Sequence, residues 1–178
     1  MSHRLFFGLR PPAPIRDALS DIMAGIDNAR WQDDDQLHLT MRYIGEVDTH
    51  QADDIAEAAG SLQFDPFDLM IRGLGHFDRK GVPNAVWAAI EPSEPLARLH
   101  NKIERLVQQA GCPAETRKFT PHVTLARLNS SSGALAPFLA QHSGLSLPVW
   151  RVEAFNLYES FLRPEGSLYR EAATYPLG

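Results

Sequence analysis

The spacing of apolar residues along this chain switches between two periods, one typical of helices and one typical of strands. Apolar residues at helical spacing predict amphipathic helices over 15–26 and 94–110, and an alanine-rich stretch predicts another over 49–62. A shorter helix is expected over 134–142, where Pro137 opens or interrupts it. Apolar runs bounded by Gly, Pro and polar clusters predict strands over 3–9, 37–44, 67–74, 85–90, 119–126, 149–158 and 167–175.

Polar and glycine-rich segments between these runs predict the connections. A polar turn is expected at 33–35, after a short extended piece at 30–32, and a serine-rich turn is expected at 129–133. The segment 73–83, which carries the charged tip 78–81, is predicted to be a loop.

The order of elements repeats, because each half of the chain reads strand, helix, strand, helix, strand. Phe7 precedes His38 by nearly as many residues as Trp87 precedes His122, and the stretches after the two histidines also match in length. Such a repeat indicates internal duplication. We therefore predict an α+β fold of two pseudo-twofold-related lobes, each a small, mostly antiparallel sheet with helices on its outer face, around a central cleft. With no linker between the halves, residues 1–178 are expected to form one bilobal domain.

Composition narrows the class of protein. The chain has 178 residues, of which 44% are hydrophobic, as in an ordinary globular protein. Its formal net charge of -5 argues against a protein that binds the phosphate backbone of long duplex DNA. Its one cysteine, Cys112, excludes an internal disulfide framework and fits a reducing cytoplasm. No apolar run approaches the roughly 20 residues that span a bilayer, and the N-terminus lacks a signal-peptide pattern. We expect a cytoplasmic monomer without membrane association.

Two short peptides carry candidate chemistry, His38-Leu39-Thr40 and His122-Val123-Thr124. Successive side chains of a strand point to opposite faces, so each peptide offers an imidazole and a hydroxyl on one face and apolar residues on the other. A single strand histidine is more often a surface or core residue. Two copies in similar surroundings instead predict paired catalytic groups, since two histidines at one cleft can act as acid and base near neutral pH.

This pairing suits in-line displacement at phosphorus, in which water loses a proton on one side and the leaving oxygen gains one on the other. The two threonine hydroxyls can hydrogen-bond the non-bridging oxygens, and an arginine can neutralise their charge. Strict alternation puts Arg42 on the face of His38 but puts Arg127 on the face opposite His122. Arg127 can therefore help only if the strand ends or bulges near Ala126.

Other chemistries find less support in the sequence. A catalytic zinc site usually needs three close protein ligands, and neither motif has an HExxH spacing or a cysteine partner, while Asp33 to Asp35 fit a solvated turn. There is no nucleophile-elbow or P-loop pattern. The remaining histidines are interpreted as structural or surface residues: His3, His50, His76, His100 and His142.

The surroundings of the two motifs point to a family. Residues 37–46 read LHLTMRYIGE and residues 119–127 read FTPHVTLAR. These segments resemble the paired motifs of the 2H phosphoesterase superfamily, most closely those of the RNA 2',3'-cyclic phosphodiesterase or 2'-5' RNA ligase family. Segments 72–77, 86–87 and 155–160 and the C-terminal tail also fit, so the resemblance covers nearly the whole chain.

The resemblance implies metal-independent opening of a 2',3'-cyclic phosphate to a 2'-phosphomonoester, without a cofactor. It implies that His38 donates a proton to the leaving 3'-oxygen, that His122 is the proton acceptor that activates water, and that Thr40, Thr124 and Arg127 hold the phosphate. Some members of the family also join RNA ends through a 2'-5' bond, with a 5'-hydroxyl in place of water. The implied substrate is an RNA end or a cyclic nucleotide, with no protein partner.

Aromatic residues near the motifs are candidates to stack on a nucleobase. Phe119 and Tyr158 are predicted substrate-binding residues and Tyr43 is a further candidate, while core packing is the alternative for each. Arg117 and Lys118 precede the second motif and either guide an RNA backbone or form a solvated pair. Two other functions stay open, namely a nucleotide-binding module without turnover and a phosphodiesterase for a small cyclic nucleotide such as ADP-ribose cyclic phosphate.

Overall fold

The structure, a computed structural model, describes all residues from 1 to 178. The helices are α1 (Ala13–Asp21), α2 (Thr49–Gly60), α3 (Glu94–Gln109) and α4 (Ala136–Gln141). The strands are β1 (Ser2–Leu9), β2 (Arg30–Trp31), β3 (Leu39–Asp48), β4 (Phe67–Leu69), β5 (Ile71–Arg79), β6 (Val82–Ile90), β7 (His122–Arg127), β8 (Trp150–Val152), β9 (Ala154–Arg163) and β10 (Gly166–Pro176).

Each predicted helix is present, but the first one ends early. α1 stops at Asp21, although apolar residues continue at helical spacing as far as Ile26. Gly25 has a φ of 94°, which lies outside the helical region, so the chain turns before Ile26 and buries that side chain from a loop.

The predicted loop at 73–83 is wrong, because this segment forms a β-hairpin. β5 and β6 pair along most of their length and are joined by Lys80 and Gly81, whose φ angles are 52° and 80°. Two successive residues with positive φ make the tight hairpin turn that suits the twist of antiparallel strands. The charged residues at 78–80 therefore lie at the end of an extended, exposed hairpin.

The strands form one continuous antiparallel sheet in the order β10-β9-β1-β3-β7-β6-β5, with β2 paired to β7 and a separate two-stranded sheet made by β4 and β8. The predicted α+β class with mostly antiparallel pairing is confirmed. The sheets of the two lobes are also joined, because β3 and β7 meet at the pair Leu39 and Val123.

The two halves of the chain exchange their last strands. β5 follows the first half but pairs with β6 in the second lobe, whereas β9 follows the second half but pairs with β1 in the first lobe. Each lobe is thus completed by a strand from the other half of the sequence. Because the chain crosses between the lobes within these strands, no linker separates the two halves.

The core fixes which face of the motif strands meets the cleft. Leu39 and Met41 on β3, and Val123 and Leu125 on β7, are all at most 2% exposed. α3 packs against β3 through its apolar stripe and against α2. Because side chains alternate along a strand, burying these four residues turns the histidines and threonines to the opposite face.

Candidate active site

The two His-x-Thr motifs lie side by side on neighbouring strands. The register of the pair Leu39 and Val123, extended by one residue in each direction, sets His38 opposite Thr124 and Thr40 opposite His122. Residues directly opposite in an antiparallel pair have Cβ atoms about 5 Å apart, and diagonal neighbours are somewhat farther. The four side chains therefore form a square in which the histidines occupy one diagonal and the threonines the other.

Each histidine is oriented in the same way, by a carbonyl two residues before it. His38 Nδ1 lies 2.7 Å from the Gln36 carbonyl oxygen, and His122 Nδ1 lies 2.5 Å from the Thr120 carbonyl oxygen. Since a carbonyl only accepts, Nδ1 carries a hydrogen in both rings and Nε2 is the atom that can gain or lose a proton. The Thr40 hydroxyl lies 2.9 Å from His38 Nε2 and donates to it when the ring is neutral.

The turn that supplies the Gln36 carbonyl is held on two sides. Arg10 donates to the carbonyl oxygens of Asp34 and Leu37 at 2.6 and 2.8 Å. The Gln36 side chain donates to the Ser167 carbonyl oxygen on β10 at 2.8 Å. These bonds fix the peptide that orients His38, so the position of the imidazole does not depend on strand pairing alone.

Aromatic rings surround both imidazoles. Phe6 and Tyr169 lie 4.8 and 5.0 Å from the His38 ring, while Phe77 and Trp87 lie 4.9 and 5.4 Å from the His122 ring, as centroid distances. The pKa of His38 is lowered from 6.5 to about 4, chiefly by burial and also by the charges of Arg127, His122 and Arg10, while the hydrogen bond to the Gln36 carbonyl acts to raise it. Burial and then Arg127 also lower the pKa of His122, against the raising effect of its own carbonyl.

A β-bulge turns Arg127 towards His122. In the pairing of β6 with β7, Trp87 is opposite Thr124 and Val86 is opposite Ala126, so Leu125 has no partner. Leu125 and Ala126 are both fully buried, and Arg127 is exposed in the same cleft as His122. From the sequence, Arg127 was predicted to reach the site only if the strand ended or bulged near Ala126, and this bulge lies there. None of the salt bridges or side-chain hydrogen bonds of the protein involves Arg127.

Arg42 has a different environment from the one predicted by alternation. A bulge at Met41 on β3 leaves both Met41 and Arg42 buried, with Arg42 only 7% exposed. The Arg42 guanidinium donates to Glu104 at 2.5 Å, to its neighbour's carbonyl oxygen at 2.7 Å and to the Pro113 carbonyl oxygen. Arg42 therefore anchors the segment before the second motif, while Arg127 presents a free guanidinium to the cleft.

The cleft encloses about 600 Å³. Thr40, His122 and Arg127 are among the residues that line it, whereas His38 and Thr124 are not. The Thr40 hydroxyl, 2.9 Å from His38 Nε2, links that imidazole to the cleft. Five lining residues were not predicted, namely Met41, Phe77, His100, Glu115 and Thr120. Phe77 lay in a segment expected to be a loop, and nothing in the helical pattern around His100 distinguishes it from a surface residue.

The predicted base-stacking residues have different exposures. Phe119 lines the cleft and stacks in parallel on His100 with ring centroids 3.9 Å apart, and Tyr43 also lines the cleft with 44% exposure. Tyr158 is only 4% exposed, stacks on Phe6 and receives a hydrogen bond from the Asn156 amide. This corrects its predicted role, because a ring so fully packed leaves no face for a nucleobase; Tyr158 supports the wall beside His38.

The polar turn at 33–35 contains one carboxylate that is held in ion pairs. The Asp34 carboxylate pairs with Arg10 at 3.2 Å and with Arg16 at 3.0 Å. No group of three or more His, Cys, Asp or Glu side chains in the structure is arranged to hold a metal ion. No helix in the chain combines the length and the apolar character that crossing a membrane requires.

The chain is similar to a known family and to several of its members. The family model of the 2'-5' RNA ligase superfamily matches residues 8–160. The chain is 33% identical over 141 residues to the RNA 2',3'-cyclic phosphodiesterase of Aeropyrum pernix, covering 78% of this chain and 80% of the relative. It is 31% identical over 178 residues to the RNA 2',3'-cyclic phosphodiesterase of Thermus thermophilus, covering 93% of this chain and 86% of the relative.

Solved structures agree with these relatives. The crystal structure of TT0787 of Thermus thermophilus superposes with a TM-score of 0.83 at 25% identity, over 97% of both chains. The likeness extends over the sheet, the exchanged strands and the cleft, since nearly every residue is matched. Because the family model spans both motifs and most of the chain, this protein belongs to the 2'-5' RNA ligase superfamily, as its two His-x-Thr motifs indicated.

Proposed function

We propose that this protein is an RNA 2',3'-cyclic phosphodiesterase that opens 2',3'-cyclic phosphate ends to 2'-phosphomonoesters. The observation that carries the proposal is the square formed by His38, Thr40, His122 and Thr124, in which both imidazoles present Nε2 on one face. The curated relatives that share most of the chain carry the name of this activity. The protein acts in the cytoplasm as a single bilobal domain, 1–178, and as a monomer.

The geometry supports a division of labour between the two imidazoles. His122 Nε2 takes a proton from water as the water oxygen bonds to phosphorus, and His38 Nε2 gives a proton to the 3'-oxygen as its bond to phosphorus breaks. Each such group contributes typically 10²- to 10⁴-fold to the rate. The product is a 2'-phosphomonoester with a free 3'-hydroxyl, and the two histidines exchange protonation states.

The phosphate contacts come from the remaining side chains of the square and from Arg127. Thr40 and Thr124 donate to the non-bridging oxygens, and the free guanidinium of Arg127 binds their charge. When His38 is protonated at Nε2 it no longer accepts from Thr40, which releases that hydroxyl to the phosphate. Phe119 stacks on the terminal base.

The protonation of His38 depends on the substrate. Burial holds the pKa of His38 near 4 in the free protein, so its imidazole is neutral at pH 7. A bound phosphodiester places a negative charge beside the imidazole, which favours the charged form and raises its pKa. The substrate's own charge therefore prepares the proton donor. The same site also supports 2'-5' ligation, in which a 5'-hydroxyl replaces water and a 2'-5' bond forms.

The direct test is hydrolysis of an oligonucleotide ending in a 2',3'-cyclic phosphate, in EDTA, with the product assigned by phosphorus NMR. We expect a 2'-phosphate from the unaltered protein and loss of turnover in both His38→Ala and His122→Ala. His50→Ala is the matched control, because this histidine is 90% exposed on α2. Full activity of His122→Ala would falsify the assignment.

Two alternatives are outcomes of the same assay. Tight binding of a mononucleotide without hydrolysis of any cyclic phosphate would favour a binding module. Turnover of ADP-ribose cyclic phosphate but not of RNA ends would favour a small-molecule phosphodiesterase. Activity that disappears in EDTA and returns with added metal would overturn the metal-independent mechanism.

A further inference from the structure

Arg10 lies outside the cleft and yet reaches the turn that orients His38. It is not among the residues that line the cleft. Its side chain, 22% exposed, faces a separate cavity of about 280 Å³ that Arg151 and Glu171 also line. Arg10 is therefore not placed to bind a phosphate between the two motifs, and its contacts within the protein decide its role.

The Arg10 guanidinium holds the backbone on both sides of the Gln36 carbonyl. Its Nη1 donates to the carbonyl oxygen of Asp34 at 2.6 Å and to the carbonyl oxygen of Leu37 at 2.8 Å. A planar guanidinium presents its N–H groups in a fixed geometry, so one side chain restrains both oxygens together. The Gln36 carbonyl lies between them in the chain, and it is the group that orients His38.

The guanidinium is itself held in place by a carboxylate. The Asp34 side chain accepts from Arg10 Nη2 at 3.2 Å and from Arg16 Nε at 3.0 Å. Arg16 also donates to the Pro11 carbonyl oxygen at 2.7 Å. These bonds join the end of β1, the start of α1 and the turn before His38 into one unit, so Arg10 is oriented before any ligand binds.

The second motif restrains its orienting carbonyl in a different way. The peptide bond that contains this carbonyl is Thr120–Pro121 in the second motif and Gln36–Leu37 in the first. The proline ring fixes its own φ and restricts the residue before it, so the backbone alone limits the movement of the Thr120 carbonyl. Leu37 imposes no such limit, and the bonds from Arg10 take the place of the proline.

We infer that Arg10 is a positioning residue for the proton donor. Its guanidinium fixes the Gln36 carbonyl, this carbonyl keeps a hydrogen on His38 Nδ1, and Nε2 is thereby aimed at the 3'-oxygen that leaves. The inference rests on the proposed function, in which His38 gives its proton to that oxygen. Arg10 then matters for protonating the leaving group and not for binding the phosphate or activating water.

The experiment compares two forms of one oligonucleotide ending in a 2',3'-cyclic phosphate, the natural form and a form with sulfur in place of the 3'-oxygen. Sulfur leaves with far less need of a proton, because thiols are stronger acids than alcohols. We expect Arg10→Gln to lower kcat on the natural substrate about 10²-fold with KM little changed, since a misplaced group loses that much. On the sulfur substrate kcat should fall by less than about threefold, because the donor is no longer needed.

Two further variants separate position from charge. Arg10→Lys keeps the cation but lacks the planar group that restrains two carbonyl oxygens, so most of the loss on the natural substrate should remain. Full kcat in Arg10→Lys would overturn the inference. Arg151→Gln is the charge-matched control, because Arg151 lines the same outer cavity and pairs with Asp68 at 3.2 Å, and it should leave kcat unchanged on both substrates.

Nitrogen NMR of the imidazole rings gives a readout that does not depend on turnover. In the neutral rings of the unaltered protein, His38 and His122 should both carry hydrogen on Nδ1, since each Nδ1 lies beside a carbonyl oxygen. In Arg10→Gln the His38 signals should become those of a mixture of both tautomers, while the His122 signals stay as they were. Unchanged His38 signals would overturn the inference, because any fall in kcat would then have another cause.

The proposed function and the positioning role fail in different ways. His38→Ala should lose turnover of the natural substrate and recover most of it on the sulfur substrate. If His38→Ala is equally impaired on both, His38 is not the proton donor and the proposed mechanism fails. If His38→Ala shows the difference and Arg10→Gln does not, the phosphodiesterase stands and the positioning role of Arg10 is refuted.

Discussion

Tyr43 and Arg127 occupy equivalent positions in the two halves of the site. Each lies five residues after its motif histidine, on a strand with a bulge directly after the motif threonine, and each lines the cleft. The duplication has therefore kept the backbone irregularity and changed the side chain that it presents. One lobe offers a cation to the phosphate, and the other offers an aromatic ring.

This asymmetry predicts the effect of removing the cation. Arg127→Gln should lower kcat/KM by about 10²-fold or more, because it removes a charge placed where the phosphate binds. It should also raise the pKa values of both His38 and His122, since the charge of Arg127 lowers each of them. The measurement is the pH profile of kcat/KM, in which both limbs should move to higher pH. Tyr43→Phe is the paired control, and an unmoved profile in Arg127→Gln would contradict the assignment.

The unaltered enzyme should show two different pH profiles. One histidine must be charged and the other neutral, so each profile is bell-shaped. Burial lowers the pKa of both histidines below 6.5 in the free protein, so the profile of kcat/KM should have its maximum on the acid side of pH 6.5. The profile of kcat reports the complex, where the bound phosphate raises both values, and it should lie at higher pH. Coincident profiles would show that the substrate charge does not prepare the donor.

Much of the site was readable from the sequence because alternation and burial act together. In each motif the residue after the histidine is a large apolar one, and burying Leu39 and Val123 leaves only one face for the His and Thr side chains. The bulges were not readable in the same way. Leu125 and Ala126 are both apolar, so a bulge between them fits the sequence, but nothing about Met41 and Arg42 indicates that an arginine is buried there.

The sequence also did not predict features that depend on contacts between residues far apart along the chain. Arg42 is buried because Glu104 on α3 and the Pro113 carbonyl contact it, and these partners lie 62 and 71 residues further along the chain. The exchange of β5 and β9 between the lobes leaves no local signal either, because a strand's own sequence does not specify the strand with which it pairs. Local pattern predicted most of the strands but not the hairpin at 73–83, and tertiary packing determined the partners of all of them.

The buried ion pair of Arg42 and Glu104 makes a prediction about stability. Burial acts to raise the pKa of the Glu104 carboxyl, but hydrogen bonds from the Glu115 amide, Gln108 and Arg42 together hold it below its usual range. Arg42→Met should cost about 3 kcal/mol of unfolding free energy, because it leaves the Glu104 charge partly buried without its cation.

Urea denaturation measures this cost. The double variant Arg42→Met with Glu104→Gln should recover part of this lost unfolding free energy, because the Glu104 charge is then no longer left unpaired. The recovered part measures a favourable coupling energy between the two residues. The exposed pair of Arg98 and Glu94 on α3 is the control, and Arg98→Met should change stability by less than about 0.5 kcal/mol. If Arg42→Met also lost less than about 0.5 kcal/mol, the ion pair of Arg42 and Glu104 would not anchor the segment before the second motif.

Acid destabilisation should depend on His38. Its pKa is about 4 in the folded protein against 6.5 for the ordinary imidazole, so between these values the unfolded chain binds a proton that the folded chain does not. Stability is therefore lost as pH falls from 6.5 towards 4, and the contribution reaches about 2 kcal/mol by pH 4.5. In His38→Gln the loss of unfolding free energy between pH 7.5 and pH 4.5 should be smaller by that amount. The exposed His50→Gln should keep the full loss, and equal losses in both variants would refute the burial of a neutral His38.

Gly75 and Trp87 test whether the aromatic wall positions His122. A Cβ added at Gly75 would lie 2.2 Å from a Trp87 ring carbon, and the same ring lies 5.4 Å from the His122 ring. Gly75→Ala should therefore displace Trp87, lower stability by about 1–3 kcal/mol and reduce kcat more than the stability loss explains.

Gly144→Ala, where nothing lies within 4 Å, is the matched control for the added methyl group. Trp87→Phe in the Gly75→Ala background should restore activity, because the smaller ring makes room and the buried Trp87 Nε1 has no hydrogen-bond partner to lose. Tryptophan fluorescence should report the displaced ring in Gly75→Ala before any unfolding. If that variant keeps both its fluorescence and its kcat, the contact between Trp87 and His122 does not position the imidazole.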